Sequence, residues 1–142
     1  MNTTYYWRAN ASNLLSMDFL QIVRSSLSQG GVCYYNTTWS DAAQTTAMAV
    51  FPYALRVANF IAASDSPIML DKLRWQNVLT SYRSDGRPVF TLSDPKQKMR
   101  VNEVLNMDEK EPHLFVSRQS MLERFKGTRL ITDDNIGEER SH

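Results

Sequence analysis

The sequence predicts an α/β fold, a mostly parallel sheet flanked by helices, on three observations. Segments with apolar residues at helical spacing alternate with short runs rich in β-branched and aromatic residues, the order of a layered α/β structure. The run Val32-Cys33-Tyr34-Tyr35 has no polar alternation, which fits a strand covered on both faces. Helix-length segments separate successive strand-forming runs, and a crossover of that length joins parallel strands.

Each element follows from local chemistry. Leu15, Phe19, Ile22, Val23 and Leu27 share a helical stripe over Leu14–Leu27, with Ser16 as cap and Gly30-Gly31 as the stop. After the Val32–Tyr35 strand, Ser40 and Asp41 open an alanine-rich helix that reaches Val50 and ends at Pro52. Residues 55–59 and 60–63 read as one strand or two, and Asp65-Ser66-Pro67 as a turn. A third helix is expected from Met69 to about Tyr82, with Leu70, Leu73 and Val78 facing inward. Asp85-Gly86-Arg87-Pro88 carries turn chemistry, and an extended piece is expected over Val89–Leu92. Asp94-Pro95 opens a fourth helix to about Met107. Leu114-Phe115-Val116 reads as a last strand, Ser117 caps a helix from Arg118 to Lys126, and Gly127 closes it.

The chain of 142 residues, 42% hydrophobic and 22% charged, suits a single α/β domain over 1–142, with 108–113 as a charged link to a C-terminal strand-helix-tail segment. A formal charge of +1 supplies no field to hold a nucleic acid, and no apolar stretch reaches membrane-span length. No charged leader precedes an apolar segment, so a cytoplasmic location is expected. Cys33 is the only cysteine, which excludes an internal disulfide and a multi-cysteine metal site. His113 and His142 are the only histidines, and one is the last residue, so no His-based metal centre or triad is expected.

Two segments share an Asn-Thr-Thr core: Asn2-Thr3-Thr4-Tyr5-Tyr6-Trp7 and Tyr34-Tyr35-Asn36-Thr37-Thr38-Trp39. If the chain before Leu14 ends one strand and Val32–Tyr35 forms its parallel neighbour, both cores lie beyond the carboxyl ends of adjacent strands, where open α/β sheets bind ligands. The candidate ligand edge is therefore Asn2, Thr3, Thr4, Tyr6, Arg8, Asn36, Thr37 and Thr38. The competing reading is that Asn and Thr satisfy free amides at two helix starts. It also accounts for the Asn-x-Ser/Thr triplets at Asn2, Asn10 and Asn36 without glycosylation. Asp133-Asp134 with Glu138-Glu139 reads as a solvated acidic tail, and Cys33 as a buried thiol.

Several motifs recur in a telling order: Ala11, Leu14-Leu15, Phe19-Leu20, Leu27-Ser28-Gln29-Gly30-Gly31, Phe51-Pro52, Ala62-Ala63-Ser64 and Leu130-Ile131-Thr132-Asp133-Asp134-Asn135. This order resembles the second half of the spermidine synthase family, the polyamine aminopropyltransferases. The resemblance is closest over residues 9–36 and looks nearest to synthase-like domains of bacterial proteins that also carry membrane segments. In that family a Leu-x-x-Gly-Gly turn enters a strand, and a Thr-Asp-Asp signature closes the domain. The resemblance implies a partial Rossmann-like, methyltransferase-like sheet whose N-terminal nucleotide-binding half belongs upstream of Met1.

Two departures bear on activity. The family's nucleoside donor sits on a glycine-rich turn, whereas the glycines here are at 30, 31, 86, 127 and 137 and form no Gly-x-Gly-x-x-Gly. The family's catalytic aspartate segment aligns with Thr3–Trp7, where Thr or Asn stands in its place. A hydroxyl or amide does not titrate near neutrality and cannot deprotonate an attacking amine. The expectation is a non-catalytic, truncated synthase-like domain with no catalytic residue, cofactor or metal. It would act as an oligomerising or partner-binding module, with a small-molecule cleft at the Asn-Thr-Thr edge. A homo-oligomer, or a partner supplying the missing strands, would cover the sheet. The alternative is the acceptor-side half of a split aminopropyl- or methyltransferase completed by another chain.

Overall fold

A computed structural model describes residues 12–111 and 113–135 of the chain. Two compact units divide it. One holds the chain up to Ile68 and again from Phe115, and the other holds Met69–Leu114.

The larger unit begins with a 3-10 turn, Ser12–Leu15, and helix α1, Met17–Ser26. The Ser16 hydroxyl caps α1 by accepting from the Phe19 N–H at 3.1 Å. Leu20 faces the core fully buried, while Ile22, expected inward, is exposed. Between α1 and strand β1, Val32–Asn36, the chain reverses over Gly30-Gly31. A Cβ on Gly31 would lie 2.8 Å from the Ser28 carbonyl, closer than side chains tolerate, so this turn requires glycine. Helix α2, Asp41–Val50, follows under a Ser40 cap that accepts from Ala43 N–H at 3.2 Å. Its Ala43 and Ala47 are fully buried, and their small side chains allow close approach to the sheet.

Strands β2, Tyr53–Val57, and β3, Phe60–Ser64, come next, separated by Ala58 and Asn59. A two-residue connection can join only antiparallel strands, and Ala58 takes φ 54° to make the turn. Strand β6, Phe115–Ser117, completes a four-stranded sheet of order β1-β3-β2-β6, and helix α6, Arg118–Arg124, follows it under a Ser117 cap.

This topology corrects the expectation of a mostly parallel, Rossmann-like sheet. Every pairing among the described strands is antiparallel. The β1-α2-β2 crossover does send β1 and β2 in the same direction, as a helix connection should. However, β3 folds back between them, a split β-α-β arrangement. The hairpin turn wins because its partner is adjacent in sequence and costs little chain entropy to close.

One face of this sheet is covered. Cys33, Tyr35, Ile61, Ala63 and Ala54 form a core with Leu20, Ala43, Ala47, Phe51, Met121 and Phe125. Burying each large member stabilises the fold by about 1.5–3 kcal/mol relative to exposure. Arg118 ties α6 to α2 by donating from Nη2 to the Met48 carbonyl at 3.1 Å. Arg24 ties α1 to the end of α2, donating from Nη1 to the Val50 carbonyl at 2.7 Å, and pairs with Asp65.

The smaller unit holds α3, Lys72–Ser81, a two-stranded hairpin of β4, Arg83–Ser84, and β5, Arg87–Pro88, then α4, Pro95–Leu105, and α5, Met107–Lys110. Asp85 and Gly86 have φ of 50° and 73°, both positive as a type I′ hairpin demands. The expected extended piece at Val89–Leu92 carries no strand; the pairing closes at Pro88. Helix α3 starts at Lys72 because Asp71, not a residue near Met69, caps it on the Arg74 N–H at 2.8 Å. Leu73 and Val78 are exposed rather than inward, and among the described residues of this unit Val101 and Leu105 on α4 are buried. Part of the expected 108–113 link is helical, as α5.

Candidate functional site

The second Asn-Thr-Thr segment lies where β1 ends and α2 begins. Asn36 closes the strand, and its Oδ1 accepts from the Thr38 N–H at 2.8 Å and from Asn59 Nδ2 at 2.9 Å. Thr37 donates both its backbone N–H, at 2.8 Å, and its hydroxyl, at 2.7 Å, to the Asn59 carbonyl. Its own carbonyl accepts from the Ser40 N–H at 2.9 Å, which sets the cap of α2. The segment therefore stitches the end of β1 to the β2–β3 turn and to the first turn of α2.

What it presents outward follows from that stitching. Thr37 is fully buried. Thr38 turns its hydroxyl back on the Thr37 carbonyl at 2.6 Å. Thr38 and Trp39 both take left-handed backbone, φ 53° and 65°, a conformation that costs a side-chain-bearing residue about 1–3 kcal/mol. The outcome is that Trp39 stands 65% exposed. Beneath the loop, the Gln44 Nε2 donates to Thr37 Oγ1 at a long 3.4 Å, and its buried Oε1 finds no partner among the described residues. The loop's groups are hydroxyls and amides, which hold geometry but do not exchange protons near neutrality. The other half of the expected edge, Asn2, Thr3, Thr4, Tyr6 and Arg8, lies outside the described residues, as does Trp7.

The expectation that β1 is covered on both faces is corrected here. Its residues alternate exposed and buried, with Val32 47% and Tyr34 46% exposed. Cross-strand register sets this face in three rows, Val32–Ser64–Tyr53, then Tyr34–Ala62–Leu55–Ser117, then Asn36–Phe60–Val57–Phe115, with Ala62 and Ser64 of the central β3 buried between their larger neighbours. None of these residues is charged. Tyr34 stacks on Phe60 with ring centroids 5.1 Å apart and planes 11° from parallel, and Tyr53 is 41% exposed.

The opposite, helix-covered face carries the charge. Arg56, next to Leu55 in sequence, points into it and is only 7% exposed. Burial lowers the pKa of its guanidinium, Arg124 nearby lowers it further, and Asp41 opposes the shift. Burial also raises the Cys33 thiol, and raises the Tyr35 phenol strongly, with the Cys33 charge adding to the effect. Strand β2 thus inverts the usual pattern: its cation faces the core side and its Tyr53, Leu55 and Val57 face outward. Sequence reasoning missed this face. The signal was present in the parity of Val32-x-Tyr34 and Tyr53-x-Leu55-x-Val57, where every residue is apolar or aromatic.

Remaining candidates fall as follows. Asp133 and Asp134 are exposed, His113 is exposed, and Cys33 is buried. Among the described residues no group of three His, Cys, Asp or Glu side chains could hold a metal ion. No helix among them is long and apolar enough to cross a membrane. Comparison with protein-family models, with curated proteins and with solved structures finds no match.

Proposed function

We propose that the chain is a non-catalytic binding module of spermidine synthase-like character that associates with a second copy of itself through the open sheet face. The observation that carries this reading is the inverted alternation of β2, which puts exposed Tyr53 and half-buried Leu55 and Val57 on the same uncharged face as the exposed Val32 and Tyr34. Apolar and aromatic side chains left exposed on one face are costly in water and mark interaction sites. A face without charged side chains offers no ion pair to a phosphate, and an identical face matches it without any charge left unpaired.

The synthase-like character rests on motif order, and the positions of three motifs support it. Gly30-Gly31 leads into β1, Phe51-Pro52 precedes β2, and Ala62-Ala63-Ser64 ends β3. Catalysis is the weaker reading because Asn36 and Thr37 are committed to holding the loop.

Self-association through this face is expected to depend on concentration by mass action. Sedimentation velocity over a dilution series in the micromolar range tests it. A concentration-dependent monomer–dimer equilibrium supports self-association. A single monomeric species throughout overturns it.

A further inference from the structure

We draw no further inference here: the strongest candidate, the exposed apolar side chains Met69, Leu73, Val78 and Tyr82 on and around α3 of the smaller unit, carries nothing because nothing in the structure shows what covers them.

Discussion

The Ile131 N–H donates to Thr46 Oγ1 over 2.9 Å, a buried bond between residues 85 positions apart. The Thr46 hydroxyl in turn donates to the Ala42 carbonyl at 2.7 Å, so one side chain serves both its own helix and the chain's last described segment. The Ile131 carbonyl accepts from the Met17 N–H at 2.8 Å, and the Asp133 N–H donates to Asp18 Oδ2 at 3.0 Å. Residues 130–135 therefore clamp the start of α1 to α2, and the Thr-Asp-Asp segment has an architectural role.

Thr46→Val keeps the shape and removes the acceptor. It leaves the Ile131 N–H buried without a partner, which costs about 1–3 kcal/mol. Urea denaturation should show that loss in midpoint with an unchanged slope, and Thr46→Ser should recover most of it. Equal midpoints for wild type and Thr46→Val would remove the clamp from the account.

Asn36→Ala with Thr37→Ala removes the bonds to Asn59 and Thr38. Both side chains hold the β1–α2 junction, so the pair should lower the melting temperature without any ligand present. Loss of about 2 kcal/mol is expected for two partly buried hydrogen-bonding side chains. Unchanged melting would return these residues to the role of a ligand edge.

Gln44 is the opposite case. Among the described residues its buried Oε1 has no partner and its bond to Thr37 is long, so the polar group stabilises the fold poorly. Gln44→Met preserves volume and should leave stability unchanged or raise it in thermal melts. A loss above about 2 kcal/mol would show that the amide is satisfied in solution, for instance by a trapped water.

How much of this was legible in the sequence divides along range. Ser16, Ser40, Asp94 and Ser117 were readable as caps because a cap is decided within three or four residues. Asp85-Gly86 was readable as a turn for the same reason. Strand order was not, because nothing local to residues 60–64 says that β3 lies between β1 and β2. The inward face of α3 failed likewise. Leu73 and Val78 have the right chemistry for burial, but only a partner decides which side of a helix is covered. Of the candidate edge, Asn36 and Thr37 lie where β1 ends, but the amide of α2 that they were read as satisfying is served by Ser40, and the apolar face beside them escaped notice because Arg56 masked its parity.

Tyr35 contributes to the loss of stability at alkaline pH. Burial holds its phenol protonated above the ordinary value of 10.0, and it donates to the Ala43 carbonyl at 3.4 Å. Above about pH 10 the unfolded chain loses this proton while the folded chain keeps it, so the unfolded state binds fewer protons and stability falls as pH rises. The Cys33 thiol, raised from 9.0, adds the same sign beginning lower. Denaturation midpoints of wild type should drop through this range, and Tyr35→Phe should flatten the limb. An equally steep limb in Tyr35→Phe would assign the effect elsewhere.

The open sheet face is tested most directly by placing a charge on it. Tyr53→Lys puts an ammonium on the exposed end row of the uncharged surface, and Leu73→Lys puts one on exposed α3 as a control. In sedimentation equilibrium, Tyr53→Lys should be monomeric at concentrations where wild type and Leu73→Lys dimerise, and all three should melt alike where wild type itself is monomeric. Dimerisation of Tyr53→Lys at wild-type strength would contradict it.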